Sequence, residues 1–214
     1  MEVGLHVNDT LKQARVVGVL RAKNADTAVQ AALAAVRGGL TALEITFTTP
    51  NAEDAIRELA AQLPATILLG AGTVMNAVQA RAAIEAGAQF LVSPHLGEEV
   101  LQLALELQIP YIPGVLTPTE IVRAFRLGAS TVKIFPIGSS GAKAYLKDLL
   151  GPFPELKAVV TGGVTPKEVK SYLEVGAIAV GLGSNFFPNT ALQNADWNTV
   201  ENATRQALLE IGEA

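Results

Sequence analysis

Short runs rich in Val, Ile and Leu recur along the chain, and longer stretches with the apolar spacing of a helix separate them. Short apolar runs are typical of buried strands, whereas an apolar period of about 3.6 residues predicts helix. We predict eight strands, at Val16–Leu20, Ala42–Phe47, Thr66–Leu69, Phe90–Val92, Tyr111–Ile112, Thr131–Phe135, Ala158–Val160 and Ile178–Leu182. We predict eight helices, at Ala25–Arg37, Ala52–Gln62, Ala77–Glu85, Glu98–Leu107, Pro118–Arg126, Ala142–Leu150, Pro166–Glu174 and Trp197–Ile211. This alternation indicates parallel strands joined by crossover helices.

Eight consecutive strand–helix pairs predict an α/β fold of the (β/α)8 type, a TIM barrel, with residues 1–214 forming a single domain. An open doubly wound sheet is the competing fold. Its dinucleotide-binding form is marked by a G-x-G-x-x-G run after the first strand, and this chain has none there. Several residues also predict helix starts: Asn51, Asn76 and Thr117 as N-caps, and Pro118 and Pro166 in first turns.

An internal repeat supports the barrel. Four predicted helices lead through a glycine into the next strand, at Gly39, Gly87, Gly128 and Gly176. These glycines lie 48, 41 and 48 residues apart, which is about the length of one strand–helix unit. A helix C-cap explains each glycine by itself, so the repeat is informative through its register.

The residue five positions after each of these glycines occupies an equivalent place, late in its strand. These residues are Glu44, Val92, Lys133 and Gly181. Since strand side chains alternate between two faces, equivalent positions are expected to face the same way. The late ends of barrel strands carry the chemistry of this fold. Two charged residues, Glu44 and Lys133, therefore mark a candidate site in otherwise apolar strands.

Lys133 lies in the run Ser-Thr-Val-Lys-Ile-Phe-Pro, where a buried ammonium is costly without a partner. One interpretation is structural: an ion pair with Glu44, or a side chain that reaches solvent at the strand end. The other is an amine nucleophile, because desolvation disfavours the charged form of an amine and frees its lone pair to attack a ketone and form an imine. Glu44 would then act as general acid and base, and it can pair with the lysine as well.

Two glycine-rich segments follow the seventh and eighth predicted strands: Thr161-Gly162-Gly163-Val and Gly181-Leu-Gly-Ser184. Phosphate commonly binds at these two strand ends of a barrel. Backbone N–H groups at glycines can hold a phosphate without a basic side chain, so the pair predicts a phosphate site. The alternative interpretation is two tight turns.

Other strand ends carry weaker signals. Gly70-Ala-Gly-Thr73-Val follows the third predicted strand, where glycine lets backbone approach a ligand and Thr73 offers a hydroxyl to a carboxylate. His95 is a candidate general base, although a lone histidine beside a proline is more often structural. His6 is far from His95 in the sequence, and two such distant histidines make a poor metal site.

Composition narrows the class of protein. The chain has no cysteine, which excludes disulfides, thiolate catalysis and cysteine-based metal sites. A net charge of −4 without a long basic run argues against nucleic acid as a partner. No apolar run approaches the roughly 20 residues of a membrane helix, and the N-terminus has no secretory signal pattern, so we expect a soluble cytoplasmic protein with no membrane partner.

The order and spacing of these motifs closely resemble the family of 2-keto-3-deoxy-6-phosphogluconate and 4-hydroxy-2-oxoglutarate aldolases. The resemblance covers nearly the whole chain. It rests on Glu44-Ile-Thr, Gly70-Ala-Gly-Thr-Val, Ser93-Pro-His, Pro113-Gly-Val, Lys133-Ile-Phe-Pro, Thr161-Gly-Gly-Val and Gly181-Leu-Gly-Ser. It implies a class I lyase of the Entner–Doudoroff pathway that forms pyruvate and glyceraldehyde 3-phosphate without cofactor or metal, in a homotrimer. Cleavage of 4-hydroxy-2-oxoglutarate to pyruvate and glyoxylate is implied as a second activity.

The resemblance also implies roles for individual residues. It assigns the Schiff base to Lys133 and the acid–base work to Glu44. It implies that Thr73 lies near the pyruvate carboxylate. The residues implied to contact the intermediate or the phosphate are Pro94, Phe135, Gly162, Gly163 and Ser184.

One position departs from the family. Some members have an arginine shortly after the glutamate motif, where it binds the substrate carboxylate, but this chain has Thr48 there. Arg21, at the end of the first predicted strand, is the expected substitute because its planar fork suits a carboxylate. The alternative is a surface cation at a strand end. Substrate choice among gluconate, galactonate and hydroxyoxoglutarate types is left open.

Alternatives from other classes share part of this pattern. An epimerase-like phosphate-binding barrel would keep the two late glycine motifs, but it would use paired acids, often with a metal. A sugar-phosphate-binding barrel without catalysis would need neither Glu44 nor Lys133. An aldolase for 2-keto-3-deoxy-6-phosphogalactonate would keep both residues.

Overall fold

The computed structural model describes residues 2–213, and the side chains of residues 8–212. Its strands are β1 (Val16–Leu20), β2 (Ala42–Thr46), β3 (Leu68–Gly72), β4 (Leu91–Val92), β5 (Tyr111–Ile112), β6 (Gly114–Val115), β7 (Val132–Ile134), β8 (Ala158–Thr161) and β9 (Ala177–Leu182). Its helices are α1 (Glu2–Ala14), α2 (Ala25–Arg37), α3 (Ala52–Gln62), α4 (Ala77–Glu85), α5 (Glu98–Glu106), α6 (Pro118–Arg126), α7 (Ala142–Leu150), α8 (Val169–Val175), α9 (Asn189–Asn194) and α10 (Trp197–Glu213). Short 3₁₀ segments, Gly138–Ser140 and Pro166–Glu168, precede α7 and α8.

The sheet is parallel throughout and closes into a barrel at Pro113. The strand order is β5-β4-β3-β2-β1-β9-β8-β7-β6, which places β5 and β6 at opposite ends. These two segments are separated in the chain by Pro113 alone, whose missing N–H interrupts the ladder. Its carbonyl still accepts a hydrogen bond of 2.8 Å from the Lys133 N–H. β5 and β6 are therefore halves of one strand, and the predicted eight-stranded barrel is confirmed.

Helix α1 covers the amino-terminal end of the barrel. Leu11 on this helix is fully buried. It packs in one cluster with interior residues of the strands, namely Val17, Ala42, Leu68, Phe90, Val92, Ile112, Val159 and Ala179. Asn8 accepts a hydrogen bond of 2.9 Å from the hydroxyl of Thr131, just before β7. Apolar packing and a hydrogen bond therefore both hold α1 against the barrel.

The third strand differs from its prediction. It runs from Leu68 to Gly72 and not from Thr66 to Leu69. The prediction ended at Leu69 because the apolar pattern stops there and glycine is depleted in strands. Gly70 and Gly72 nevertheless pair with β2. A side chain at Gly70 would overlap the ring of Phe90, so the space that a larger residue needs is already filled.

Two of the three predicted N-cap residues make the expected side-chain hydrogen bond. Asn51 is the N-cap residue of α3, as predicted, but its side chain makes no cap hydrogen bond. Its φ of 57° lies in the left-handed region, which asparagine tolerates better than most residues. Asn76 and Thr117 do cap their helices, accepting hydrogen bonds from Gln79 and Glu120 backbone N–H groups. The prolines predicted in first turns, Pro118 and Pro166, lie there.

Helices α1 and α9 have no counterpart among the predicted helices. The apolar residues of α1 are sparse among polar ones, and α9 has only six residues, too few to display a helical period. The four repeat glycines do end helices as predicted, with φ values between 102° and 128°. This left-handed region is open to glycine at little cost.

We expect Leu11→Ala to lower the free energy of unfolding by about 2–5 kcal/mol, because it leaves a void where α1 meets the barrel. Urea denaturation measures the change. Leu209→Ala, at a site that is 50% exposed on α10, is the control and should change stability by less than about 0.5 kcal/mol. Equal losses in the two variants would contradict a sealing role for α1.

Candidate active site

A cavity inside the barrel gathers the residues that the repeat had placed in register. Its lining consists of Val17, Val19, Glu44, Phe90, Val92, Ile112, Lys133, Val159, Thr161 and Gly181. All four register positions are among them, which confirms the predicted orientation of the strands. Two of the ten lining residues are ionisable, Glu44 and Lys133, and they are 3% and 6% exposed. An interior lined mostly by apolar residues therefore holds one carboxyl and one amine.

Glu44 lies on β2 between Val19 of β1 and Gly70 of β3. A side chain at Gly72 would overlap its carboxyl group, so the glycine leaves the room that this carboxyl occupies. Within the described side chains its Oε1 is buried and has no hydrogen-bond partner. Burial raises the pKa of Glu44 above its ordinary value, and the charges of Lys133 and Arg21 oppose this rise. Such a carboxyl retains its proton to higher pH than usual, as a general acid and base requires.

Lys133 lies on β7, held between Gly114 of β6 and Val159 of β8. Its Nζ is 5.2 Å from the centroid of the Phe135 ring, within the range of a cation–π contact. Among the ion pairs of residues 8–212, none joins Lys133 to Glu44. The two groups share a cavity without neutralising each other by direct contact. This arrangement does not support the purely structural interpretation of the pair.

The glycine motifs meet at the carboxyl ends of the adjacent strands β8 and β9. Gly162 and Gly163 have φ values of 93° and 78°, and the Gly162 carbonyl accepts a hydrogen bond of 2.9 Å from the Gly138 N–H. A Cβ on Gly162 would lie 3.0 Å from the Phe135 ring. Ser184 follows β9 and is exposed. Phe135 therefore connects the amine of Lys133 with the glycine pair.

Arg21 and Thr48 follow neighbouring strands, β1 and β2, and their side chains meet. The Nε of Arg21 donates a hydrogen bond of 2.7 Å to Thr48 Oγ1. The guanidinium lies near enough to Glu44 to oppose the rise of its pKa. The residue expected to replace the family arginine thus contacts the position that lacks it.

Three further strand-end residues lie around the same end of the barrel. Thr73 is half-buried with a φ of 54°, which is uncommon for a β-branched residue and is typical of functional sites. Pro94 packs against β6, where a side chain at Gly114 would overlap its backbone. His95 is exposed, and its carbonyl accepts hydrogen bonds of 3.1 Å from Gly97 and Gly114. These backbone bonds favour the structural interpretation of the His95 segment.

Thr161 lines the cavity but has no predicted role of its own. It is 8% exposed, and its side chain faces Gly181, where an added Cβ would lie 3.0 Å from the Thr161 Cβ. The signal was available, because Thr161 is two residues after Val159, and strand alternation places both on one face.

The described residues contain neither a metal-binding cluster nor a membrane-spanning helix. In the part of the chain that the structure describes, no group of three or more His, Asp or Glu side chains is placed to hold a metal ion. No helix within residues 2–213 combines the length and apolar character needed to cross a bilayer.

Comparison with known proteins agrees with this geometry. The family described as "KDPG and KHG aldolase" matches residues 7–203. The chain belongs to this aldolase family. It is 38% identical over 206 residues to the 2-dehydro-3-deoxy-phosphogluconate aldolase of Pseudomonas aeruginosa, covering 96% of this chain and 93% of the relative. It is also 38% identical to the KHG/KDPG aldolase of Escherichia coli K12, with 90% of each chain covered.

Solved structures of the aldolase family share the fold. The KDPG aldolase of Legionella pneumophila, with pyruvate captured as a covalent carbinolamine intermediate, has a TM-score of 0.86 at 32% identity and covers 94% of this chain and 97% of its own. The aldolase of Zymomonas mobilis with 3-phosphoglycerate has a TM-score of 0.85 at 30% identity, with 95% of each chain covered. The protein is accordingly a lyase of the KDPG and KHG aldolase type with a TIM-barrel fold.

The raised pKa of Glu44 predicts a pH dependence of stability. Near pH 4, below the ordinary value of 4.5, the carboxyl is mostly protonated in both states. As pH rises, the unfolded chain releases this proton first, so the parent loses stability relative to Glu44→Gln. The difference in unfolding free energy should therefore shift in the variant's favour from about pH 4 to about pH 8, as measured by urea denaturation.

The control for this experiment is Glu174→Gln, at an exposed position on α8. Its difference from the parent should stay nearly constant over the same range. A Glu44→Gln difference that is also independent of pH would show that burial does not raise the pKa of Glu44.

Proposed function

We propose that this protein is a class I aldolase that cleaves 2-keto-3-deoxy-6-phosphogluconate (KDPG) to pyruvate and glyceraldehyde 3-phosphate through an imine on Lys133. The observation that carries the proposal is the pairing of Lys133 and Glu44 in one apolar cavity, both nearly inaccessible to solvent and not ion-paired. An amine nucleophile and a proton-transfer group in one desolvated cavity are what imine chemistry requires.

In the first stage, the uncharged amine of Lys133 adds to the C2 ketone of the substrate. The ketone oxygen takes a proton given up by the attacking nitrogen and becomes the hydroxyl of a carbinolamine. This hydroxyl then leaves as water while the protonated imine forms. Glu44 supplies the proton that the leaving hydroxyl needs, since its raised pKa keeps the carboxyl protonated to higher pH than usual.

In the second stage, Glu44 as carboxylate takes the proton of the C4 hydroxyl, directly or through a water. The C4–O electrons form the aldehyde carbonyl, the C3–C4 bond breaks, and its electron pair moves into the protonated imine to give an enamine. Return of a proton to C3 and hydrolysis of the imine release pyruvate and free Lys133. One carboxyl in a water-poor site thus alternates between acid and base.

Substrate binding is assigned to the strand ends around the cavity. Arg21 and Thr73 hold the carboxylate, the guanidinium by charge and the threonine by its hydroxyl. Pro94 and Phe135 contact the intermediate, and the ring of Phe135 already lies beside Lys133 Nζ. For the phosphate we assign Gly162, Gly163 and Ser184, at the strand ends where barrels commonly bind it. The pyruvate and phosphoglycerate in the Legionella and Zymomonas structures are consistent with these assignments.

Related activities follow from the same chemistry. Cleavage of 4-hydroxy-2-oxoglutarate to pyruvate and glyoxylate needs the same imine without a phosphate, and the galactonate epimer of KDPG differs only in stereochemistry. An epimerase-like barrel is disfavoured because its reaction uses paired acids, and the described cavity lining contains one carboxyl, that of Glu44. A barrel that only binds a sugar phosphate would gain nothing from burying Glu44 without a hydrogen-bond partner.

Three broader assignments belong to the proposal. We place the enzyme in the Entner–Doudoroff pathway and in the cytoplasm, with no cofactor, nucleic acid or membrane among its partners. We expect a homotrimer, with residues 1–214 as a single barrel domain in each subunit. Two exposed leucines, Leu105 on α5 and Leu127 directly after α6, are compatible with burial between subunits.

Borohydride reduction in the presence of pyruvate tests the nucleophile. The parent should gain one reduced pyruvate on Lys133, identified by peptide mass analysis, and Lys133→Ala should gain none and lose KDPG cleavage. Glu44→Gln retains the amine, so it should form the adduct more slowly, with cleavage reduced by about 10²–10⁴-fold. An adduct on another lysine, or cleavage by Lys133→Ala above a few per cent of the parent rate, would refute the assignment.

The phosphate site is best tested through Ser184. Gly162→Val would press on Phe135 and disturb the amine as well, whereas Ser184→Ala removes only one exposed hydroxyl. A hydrogen bond to a charged group is worth about 1.5–3 kcal/mol, so kcat/KM for KDPG should fall by roughly 10-fold or more. For 4-hydroxy-2-oxoglutarate it should change less than about twofold. Equal losses with both substrates would remove Ser184 from the phosphate site.

A further inference from the structure

The contact between Arg21 and Thr48 is part of a short chain of hydroxyl groups. Thr48 Oγ1 accepts the hydrogen bond from Arg21 Nε and lies 2.8 Å from Thr46 Oγ1. Thr46 ends β2 and is fully buried, whereas Arg21 and Thr48 are exposed. A buried residue of the barrel wall thus anchors the exposed hydroxyl that holds the guanidinium.

The segment after β2 also accepts a hydrogen bond from the backbone that follows Arg21. Thr49, which is 2% exposed, accepts a hydrogen bond of 3.0 Å from the Ala22 N–H. Consecutive threonines after β2 therefore hold the side chain of residue 21 and the backbone of residue 22. Both contacts connect residues 27 positions apart in the chain.

This arrangement leaves the terminal nitrogens of Arg21 available. Nε is occupied by Thr48, but among the hydrogen bonds and ion pairs of residues 8–212 none engages Nη1 or Nη2. An arginine binds a carboxylate most strongly when two N–H groups donate side by side, and fixing the guanidinium in advance reduces the entropy lost on binding. The location also fits, because the guanidinium lies close enough to act on Glu44.

We propose that Thr48 is a positioning residue: its hydroxyl, held by Thr46, fixes the guanidinium of Arg21 so that Nη1 and Nη2 face the carboxylate of a 2-keto acid. This inference rests on the proposed function, in which Arg21 holds that carboxylate. Thr48 does not touch the substrate; it acts through Arg21. The threonine in the place of the family arginine is then one half of a two-residue replacement.

A double-mutant cycle tests the coupling. Imine formation is measured against pyruvate concentration for Thr48→Val in the parent and in an Arg21→Ala background. Arg21→Ala should raise the half-saturating pyruvate concentration by about 10- to 150-fold, and Thr48→Val alone by about 3- to 10-fold. In the Arg21→Ala background Thr48→Val should add nothing, because the group it positions is gone. Thr48→Ser should restore most of the parent's affinity.

Two controls make the result specific. Thr119→Val, at an exposed position on α6, should leave imine formation unchanged. Nitrogen-15 NMR of the Arg21 Nε–H, assigned by its absence in Arg21→Lys, reports the contact without any chemistry. Its exchange with solvent should be slow in the parent and in Thr48→Ser, and fast in Thr48→Val.

The outcomes separate this inference from the proposed function. A parent that forms no pyruvate adduct refutes the aldolase chemistry and this inference with it, whatever the NMR shows. If the parent does form the adduct, only the positioning role remains in question. An unchanged pyruvate dependence in folded Thr48→Val, or an equal effect in the Arg21→Ala background, would overturn that role.

Discussion

The burial of an unpaired carboxyl inside an apolar barrel is the constraint on which this molecule depends. Desolvation of Glu44 outweighs the charges of Lys133 and Arg21, so the pKa of the carboxyl rises. A buried polar atom without a hydrogen bond costs about 1–3 kcal/mol, and the fold must carry that cost. The closed wall of parallel strands and the helix that covers its amino-terminal end keep Glu44 and Lys133 buried. Stability is thereby given up at the residue that the proposed chemistry uses for proton transfer.

Glycines provide the space that the buried side chains of Glu44 and Thr161 occupy. Gly72 and Gly181 stand in strands where larger side chains would collide with Glu44 and Thr161. The ring of Phe135 lies between the two halves of the proposed substrate site. The centroid of the Phe135 ring lies 5.2 Å from Lys133 Nζ. A Cβ added to Gly162 would lie 3.0 Å from the same ring. One aromatic ring therefore lies beside both ends of the proposed substrate site.

The contact between Arg21 and Thr48 joins the ends of two neighbouring strands of the barrel. The ends of β1 and β2 are hydrogen-bonded neighbours, with Leu20 opposite Ile45. A side chain from either strand end reaches the same space above the cavity. In the proposed site, the guanidinium comes from one strand and the other strand supplies the hydroxyl that orients it.

The apolar pattern and the spacing of four glycines predicted the barrel and the common orientation of Glu44 and Lys133, because period and register are local properties of the chain. The aldolase family was indicated separately, by the resemblance of the sequence motifs at the strand ends. Only the tertiary structure decided that the barrel closes at Pro113, that Thr161 joins the cavity wall and that the Asn51 side chain makes no cap hydrogen bond. It alone revealed that Lys133 and Glu44 make no ion pair and that Arg21 meets Thr48. Periodicity states which face of a strand a residue occupies. Which side chains face it across the cavity, and at what distance, depends on strand order and closure, which bring together residues far apart in sequence.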